Sequence, residues 1–228
     1  MFEHSLASRL PDSALAAWER RLESGEGSAI GYDEQDCFVY TFRGSGTIAL
    51  EGRTSDLQPG AAALVLAGEN AELEAGSSGL TALLVTVGPA AERHAPMGKR
   101  ELTARLDQAS AERATGARSF QILFGPHAGS TRATLFAGFI PPGKAPWHYH
   151  LYDEIVWVPE GPGRLHLEKG VENLGPGSAI RLRPRQVHIV ENLSAHREMT
   201  VIGVFTPAGS PSAAYLTPDV AAEYRFSG

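Results

Sequence analysis

In the stretch GKAPWHYHLYDEIVWVPEG, residues 143–161, His148 and His150 stand two apart and Glu154 follows four residues later. A third histidine, His188, lies in QVHIVEN, with Asn192 four residues beyond it. On a strand, positions i and i+2 share one face, so His148 and His150 project the same way. Imidazole and carboxylate together suit divalent first-row metals: Fe, Mn, Ni, Cu or Zn. Structural zinc sites tend to be closed and rich in cysteine. Three imidazoles and one carboxylate can instead leave positions open for water or substrate, which metal catalysis requires. Two surface histidines at a strand end are the competing reading of the pair taken alone.

The elements that position these side chains read as short strands. Glycine (25) and proline (15) recur between apolar runs, the pattern of many strands joined by turns. A shift of 117 residues lays GSGTIALEGRTSDLQPG (44–60) over GPGRLHLEKGVENLGPG (161–177). Identities fall at Gly44/Gly161, Gly46/Gly163, Leu50/Leu167, Glu51/Glu168, Leu57/Leu174, Pro59/Pro176 and Gly60/Gly177. At the same offset LLVTV (83–87) lies over TVIGV (200–204). The chain therefore reads as two copies of one β-module. CFVYTF, TIALE and AALVLA supply strands in the first copy, and EIVWVP, RLHLE and AIRLR supply them in the second. The boundaries expected are 1–90, a connector at 91–116 with a helix-like or irregular pattern, and 117–228. Residues 12–23 carry Leu15, Trp18 and Leu22 at helical spacing, yet the same span could open a sheet.

The second copy resembles the cupin superfamily. Its first motif runs G-x5-H-x-H-x3/4-E-x6-G, met here by Gly143, His148, His150, Glu154 and Gly161, with one residue fewer before His148. Its second runs G-x5-P-x-G-x2-H-x3-N, met by Gly177, His188 and Asn192, although Arg183 and Arg185 occupy the proline and glycine positions. The resemblance implies an all-β chain of two cupin barrels, jelly-roll-like double-stranded β-helices with few short helices. It implies one divalent transition metal per chain, held by His148, His150, Glu154 and His188. In the first copy those positions are Gly31, Asp33, Cys37 and Ala71, no ligand set, so the N-terminal module is expected to be metal-free.

In cupins similar to oxalate decarboxylases, an arginine three residues after the closing glycine of the first motif reaches the substrate. Arg164 holds that place, and Arg164, His166 and Glu168 alternate with Leu165 and Leu167. If the polar face looks inward, Arg164 binds an anionic group and His166 serves as acid or base. The other reading has both facing water. Arg181, Arg183 and Arg185 are assigned to the surface or a subunit contact. Trp147, Tyr149, Tyr152 and Trp157 flank the ligands and could line a barrel mouth, or serve as ordinary core. The tail TPAGSPSAAYLTPD is expected to cap a barrel end.

Net charge of −6 implies no general affinity for nucleic acid or anionic membranes. The longest apolar run, Ala61–Ala67, is too short to span a bilayer, and the start lacks a secretory pattern. A single cysteine fits a reducing cytosol, so a cytoplasmic location is expected. The leading functional reading is a dioxygenase-type oxidoreductase acting on a small organic acid, ketone or phenol. A non-redox lyase, isomerase or hydrolase and a non-catalytic small-molecule binder are its rivals. By resemblance, the chain is expected to form a homodimer.

Overall fold

The structure, a computed structural model, describes residues 14–107, 111–114 and 117–216, together with the backbone of 2–5. The chain is all-β. Its N-terminal half forms one eight-stranded sheet from β1 (Phe2–Ser5), β2 (Leu15–Leu22), β3 (Gly27–Gly31), β4 (Asp36–Leu50), β5 (Arg53–Leu57), β6 (Ala61–Val65), β7 (Asn70–Val87) and β8 (Thr103–Arg105). Then follow β9 (Glu112–Arg113), β10 (Ser119–Phe124), β11 (Thr134–Ile140), β12 (Gly143–Lys144), β13 (His148–His150) and β14 (Asp153–Val158). The remaining strands are β15 (Gly163–Leu167), β16 (Gly170–Leu174), β17 (Ser178–Leu182), β18 (His188–Asn192), β19 (Met199–Thr206) and β20 (Ala214–Leu216). These twelve make two six-stranded sheets, one in the order β17-β14-β19-β11-β10-β9, the other β16-β15-β18-β13-β20 with β12 beside β18.

Ladder positions recur at the offset read from the sequence. Gly46 pairs with Leu57 and Ala75 in the first half, and Gly163 pairs with Leu174 and Asn192 in the second. Cys37 faces Val65 as Glu154 faces Leu182. The last strand departs from it. Tyr40 pairs with Leu83 but Trp157 pairs with Ile202, so β19 sits 119 positions beyond β7 rather than 117. The overlay of 83–87 on 200–204 is therefore corrected by two residues, inserted between Asn192 and Met199.

Proline explains why one half is a single sheet and the other is two. β4 runs continuously through Phe42–Ser45, whereas the matching stretch of the second half carries Pro159 and Pro162. Neither proline can donate to a ladder, so β14 ends and β15 begins in the other sheet. A cavity can then open between the two sheets. In the first half the corresponding space is solid core: Ile30, Cys37, Ala71 and Leu84 are all buried within one apolar cluster.

The halves pack face to face. Phe38, Leu64 and Val85 from the first bury against Phe124, Leu135 and Ile155 from the second, and Phe42 lies 4.5 Å from Trp157 between ring centroids. Residues 15–22 resolve the open choice in favour of strand, because β2 pairs along its whole length with β7. The connector, read as helix-like or irregular, is irregular among its described residues apart from two short edge strands. Thr103–Arg105 adds to β6, and Glu112–Arg113 adds to β10, since unfilled sheet edges offer those segments backbone partners. No helix among the described residues is long and apolar enough to cross a membrane.

The turn before β18 forms despite its arginines. Arg185, at the position where the motif has glycine, adopts a left-handed φ of 64° and donates its backbone N–H to the His150 carbonyl at 2.7 Å. A side chain is strained there, by about 1 kcal/mol. Arg185→Gly is expected to recover roughly 0.5–1 kcal/mol in urea denaturation.

Candidate metal centre

Strand alternation delivers the ligands. On β13 His148 and His150 point between the sheets while Tyr149 points out and stacks on Tyr215. His188 is the cross-strand partner of His148, which brings their rings to 4.4 Å between centroids, with His150 5.1 Å from His188. Glu154 comes from the opposing sheet, on the face of β14 shared with Val156. All four side chains are buried and line one cavity of about 90 Å³.

Each imidazole is held by its other nitrogen. Nδ1–H of His148 donates to Pro146 O (2.9 Å), that of His150 to Tyr152 O (2.9 Å), and that of His188 to Gln186 O (2.8 Å). In a neutral imidazole a proton held on Nδ1 leaves the lone pair on Nε2. This is how metal-binding histidines are ordinarily oriented. The surroundings also keep two of them neutral. Burial first, then the Arg118 guanidinium and His188, push His148 down to about 3. Burial lowers His188 to about 4 against the opposing pull of its bond to Gln186.

One contact in the cluster sets an imidazole nitrogen against the carboxylate. His150 Nε2 lies 2.9 Å from Glu154 Oε2, yet the nitrogen is buried with no hydrogen-bond partner. Two ligands about 2.1 Å from one ion and at right angles to each other would stand about 3.0 Å apart. The residues thus fit a divalent cation. They do not close on it unaided: among the described residues, no three His, Cys, Asp or Glu side chains stand close enough to cage an ion as they are. Arg118 Nη1 occupies the lone pair of His148 Nε2 at 3.3 Å.

Arg118 carries no sequence signal. It precedes β10, thirty residues before His148, and reaches the cluster only through the fold. Gly203 is a second residue missed. A Cβ there would fall 2.2 Å from Phe136 Cε1 and 3.0 Å from Glu154 Oε1, so only glycine lets β19 pass beneath the carboxylate. Asn192 has no atom in the cavity lining. Its amide donates to Ile140 O and Arg197 O and accepts from Ser194 N–H, tying the end of β18 to its neighbours.

The inward reading of Arg164 and His166 is corrected. On β15 it is Leu165 that is buried; Arg164 is exposed and contacts Asn173, and His166 meets Glu191 at 2.6 Å on the outer face. Gly163 and Leu165 pack inward against apolar neighbours, so the polar residues between them face out. Of the four aromatic residues, only Tyr152 lines the cavity, stacked on His150 with centroids 4.0 Å apart. Trp157 faces the other half. Arg181 pairs with Asp153, and Arg183 and Arg185 are exposed. In the tail, Pro211, Ser212 and Ala214 cover the cavity and β20 extends β13; residues 217–219 lie outside the described residues.

Comparison with known proteins came to the same fold. Residues 137–205 match the family described as Cupin domain. Oxalate decarboxylase from Bacillus subtilis superposes with a TM-score of 0.74 at 15% identity, over 98% of this chain and 78% of that one. A Cupin 2 conserved barrel domain protein from Leptotrichia buccalis gives 0.62 at 14% identity, over 90% and 88%. The Bacillus subtilis decarboxylase has Mn(II) centres. No curated protein sequence matches the chain.

Two outcomes follow from the site as built. An unfolded chain protonates both histidines below about pH 6.5, but the folded chain does so only near 3 and 4. The unfolded state thus binds more protons in that window, and stability falls as pH drops below 6.5. Urea denaturation of metal-free protein at pH 6.5 and 5 is expected to show a loss of about 2 kcal/mol per histidine, with His188→Gln flattening the slope by roughly one proton. Gly203→Ala is expected to cost about 1–3 kcal/mol, because Phe136 must move, whereas Gly209→Ala, whose Cβ would meet only Phe205 Cε2 at an ordinary 4.0 Å, is nearly neutral. The comparison of midpoints checks it.

The chain thus has the fold of these cupin proteins, and its residues 137–205 match the Cupin domain family.

Proposed function

We propose that the chain is a metal-dependent enzyme, an oxidoreductase of dioxygenase type that acts on a small organic acid, ketone or phenol. Its two halves are read as two cupin modules, 1–90 and 117–228 joined by 91–116, with the metal in the second only. One observation carries the reading. The Nε2 of His150 is buried, without a hydrogen bond, and 2.9 Å from a carboxylate oxygen, a pairing that a shared cation resolves. A divalent ion held by His148, His150, Glu154 and His188 would supply Lewis-acid and one-electron redox chemistry.

What this chain's own residues do favours redox over acid–base work. Among the described residues that line the cavity, Arg118 and Tyr152 are the ionisable groups besides the four ligands. Burial and the nearby Glu154 charge drive the Tyr152 phenol well above its ordinary value, so it stays protonated and can donate but not take a proton. Arginine stays protonated too. With Glu154 engaged as a ligand, no dedicated base remains among them for an isomerase or lyase. Likeness to oxalate decarboxylase supports a small acid as substrate, and the cavity of about 90 Å³ supports a compact one.

Protein purified without a histidine tag is expected to contain close to one equivalent of transition metal by elemental analysis. His150→Ala is expected to abolish that uptake, while Asp33→Asn, its counterpart in the first half, leaves it intact. The Fe- or Mn-loaded protein is expected to consume oxygen with a panel of small acids, ketones and phenols. Turnover at the same rate without oxygen would overturn the redox assignment.

A further inference from the structure

A second cavity lies at the seam between the halves. It measures about 460 Å³, several times the metal cavity. Tyr40, Phe42 and Pro59 line it from the first half, Leu106 from the connector, and Pro159 and Pro162 from the second half. The prolines that divide β14 from β15 therefore also wall this space. One polar group in it is uncommitted. Tyr40 is 5% exposed, yet its hydroxyl makes no hydrogen bond among the described residues. A buried hydroxyl without a partner is unfavourable, so the position calls for an acceptor. Burial pushes the phenol up to about 12, which keeps it a donor at neutral pH.

The exposed rim carries the other signal. Arg105 and Arg197 line it with no ion pair among the described residues. The acids there are Glu160 and Glu198, and Glu198 already has a partner. Two guanidiniums thus stand against one uncommitted carboxylate, an excess of positive charge. We propose that the seam is a second binding site, for a planar aromatic carboxylate with an oxygen acceptor at the end opposite the carboxylate. The carboxylate meets Arg105 and Arg197 at the rim, where a guanidinium fork matches its two oxygens. The ring lies among Phe42 and the three prolines, and the far oxygen accepts from the buried Tyr40 hydroxyl. The volume lies in the range of ligand pockets, roughly 300–1,000 Å³. It equals about fifteen waters at ~30 Å³ each, room for a bicyclic ring system, whereas the metal cavity of about 90 Å³ has room for about three. The site stands apart from the metal reading and needs no ion.

The probe is 6-hydroxy-2-naphthoate, with 6-hydroxy-2-naphthamide and 2-naphthoate as comparators, titrated by calorimetry into the full chain. The hydroxynaphthoate is expected to bind about tenfold tighter than its amide, a preference that the double variant Arg105→Gln/Arg197→Gln loses. It should also bind roughly fivefold tighter than 2-naphthoate, an advantage that Tyr40→Phe removes while keeping the ring. His150→Ala should leave all three affinities unchanged. The Trp157 ring lies 4.5 Å from Phe42, so its indole N–H resonance should shift on binding while that of Trp147, beside His148, should not. Absence of saturable binding would overturn the site. Equal affinity for acid and amide, or tighter binding of 2-naphthylmethylamine, would overturn the carboxylate. A hydroxyl advantage that survives Tyr40→Phe would overturn the role of Tyr40. Loss of binding in His150→Ala, or a response at Trp147 alone, would place the ligand in the metal cavity and overturn the seam.

Discussion

Three hydrogen bonds from imidazole Nδ1 to backbone carbonyls govern the site. Pro146, Tyr152 and Gln186 each accept one, so the tautomer of every histidine is set by backbone rather than by chance contacts. Burial keeps His148 and His188 uncharged at neutral pH, which removes proton competition at the Nε2 atoms. What remains is a row of lone pairs and one carboxylate inside an apolar cavity. Such a cluster is unfavourable alone. A cation, a guanidinium or both must answer it, and the structure shows the guanidinium of Arg118 doing so in part.

The surrounding architecture makes room for this arrangement in one half and not the other. Pro159 and Pro162 split a strand that is continuous in the first half, and the second half gains two separate sheets with a gap at one end. Val158, Leu165, Leu174 and Ile180 fill the rest of that gap with dry core. In the first half, small and apolar residues occupy the ligand positions: Cys37 where Glu154 stands and Ala71 where His188 stands. Both are fully packed. The first half therefore serves as a rigid face against which β11, β14 and β19 are braced.

How much of this could be read beforehand varied with the range of the interaction. The i, i+2 spacing of His148 and His150 is local, so their shared face was legible. Glu154 and His188 were legible through the resemblance to the two cupin motifs, by their spacing from Gly143 and Gly177. Which face of β15 turned inward was not, because alternation gives two faces and only packing chooses; buried Leu165 made the choice. The 117-residue offset held along β4, β5 and the start of β7, then failed in β19, where two inserted residues escaped an ungapped overlay. The edge strands β8 and β9 depend on sheets far away in sequence, so their own residues read as helix-like or irregular. Arg118 was illegible for the same reason. Its place at the site is a tertiary fact with no motif around it.

The central claim is that three Nε2 atoms converge on one cation, and nitrogen NMR addresses it most directly. In uniformly ¹⁵N-labelled protein at neutral pH, His148, His150 and His188 should carry their proton on Nδ1 before metal is added. On titration with ¹¹³Cd, all three Nε2 resonances should shift and couple to a single cadmium signal at one equivalent. Protons found on Nε2, or cadmium coupling to fewer than three of these nitrogens, would contradict the account.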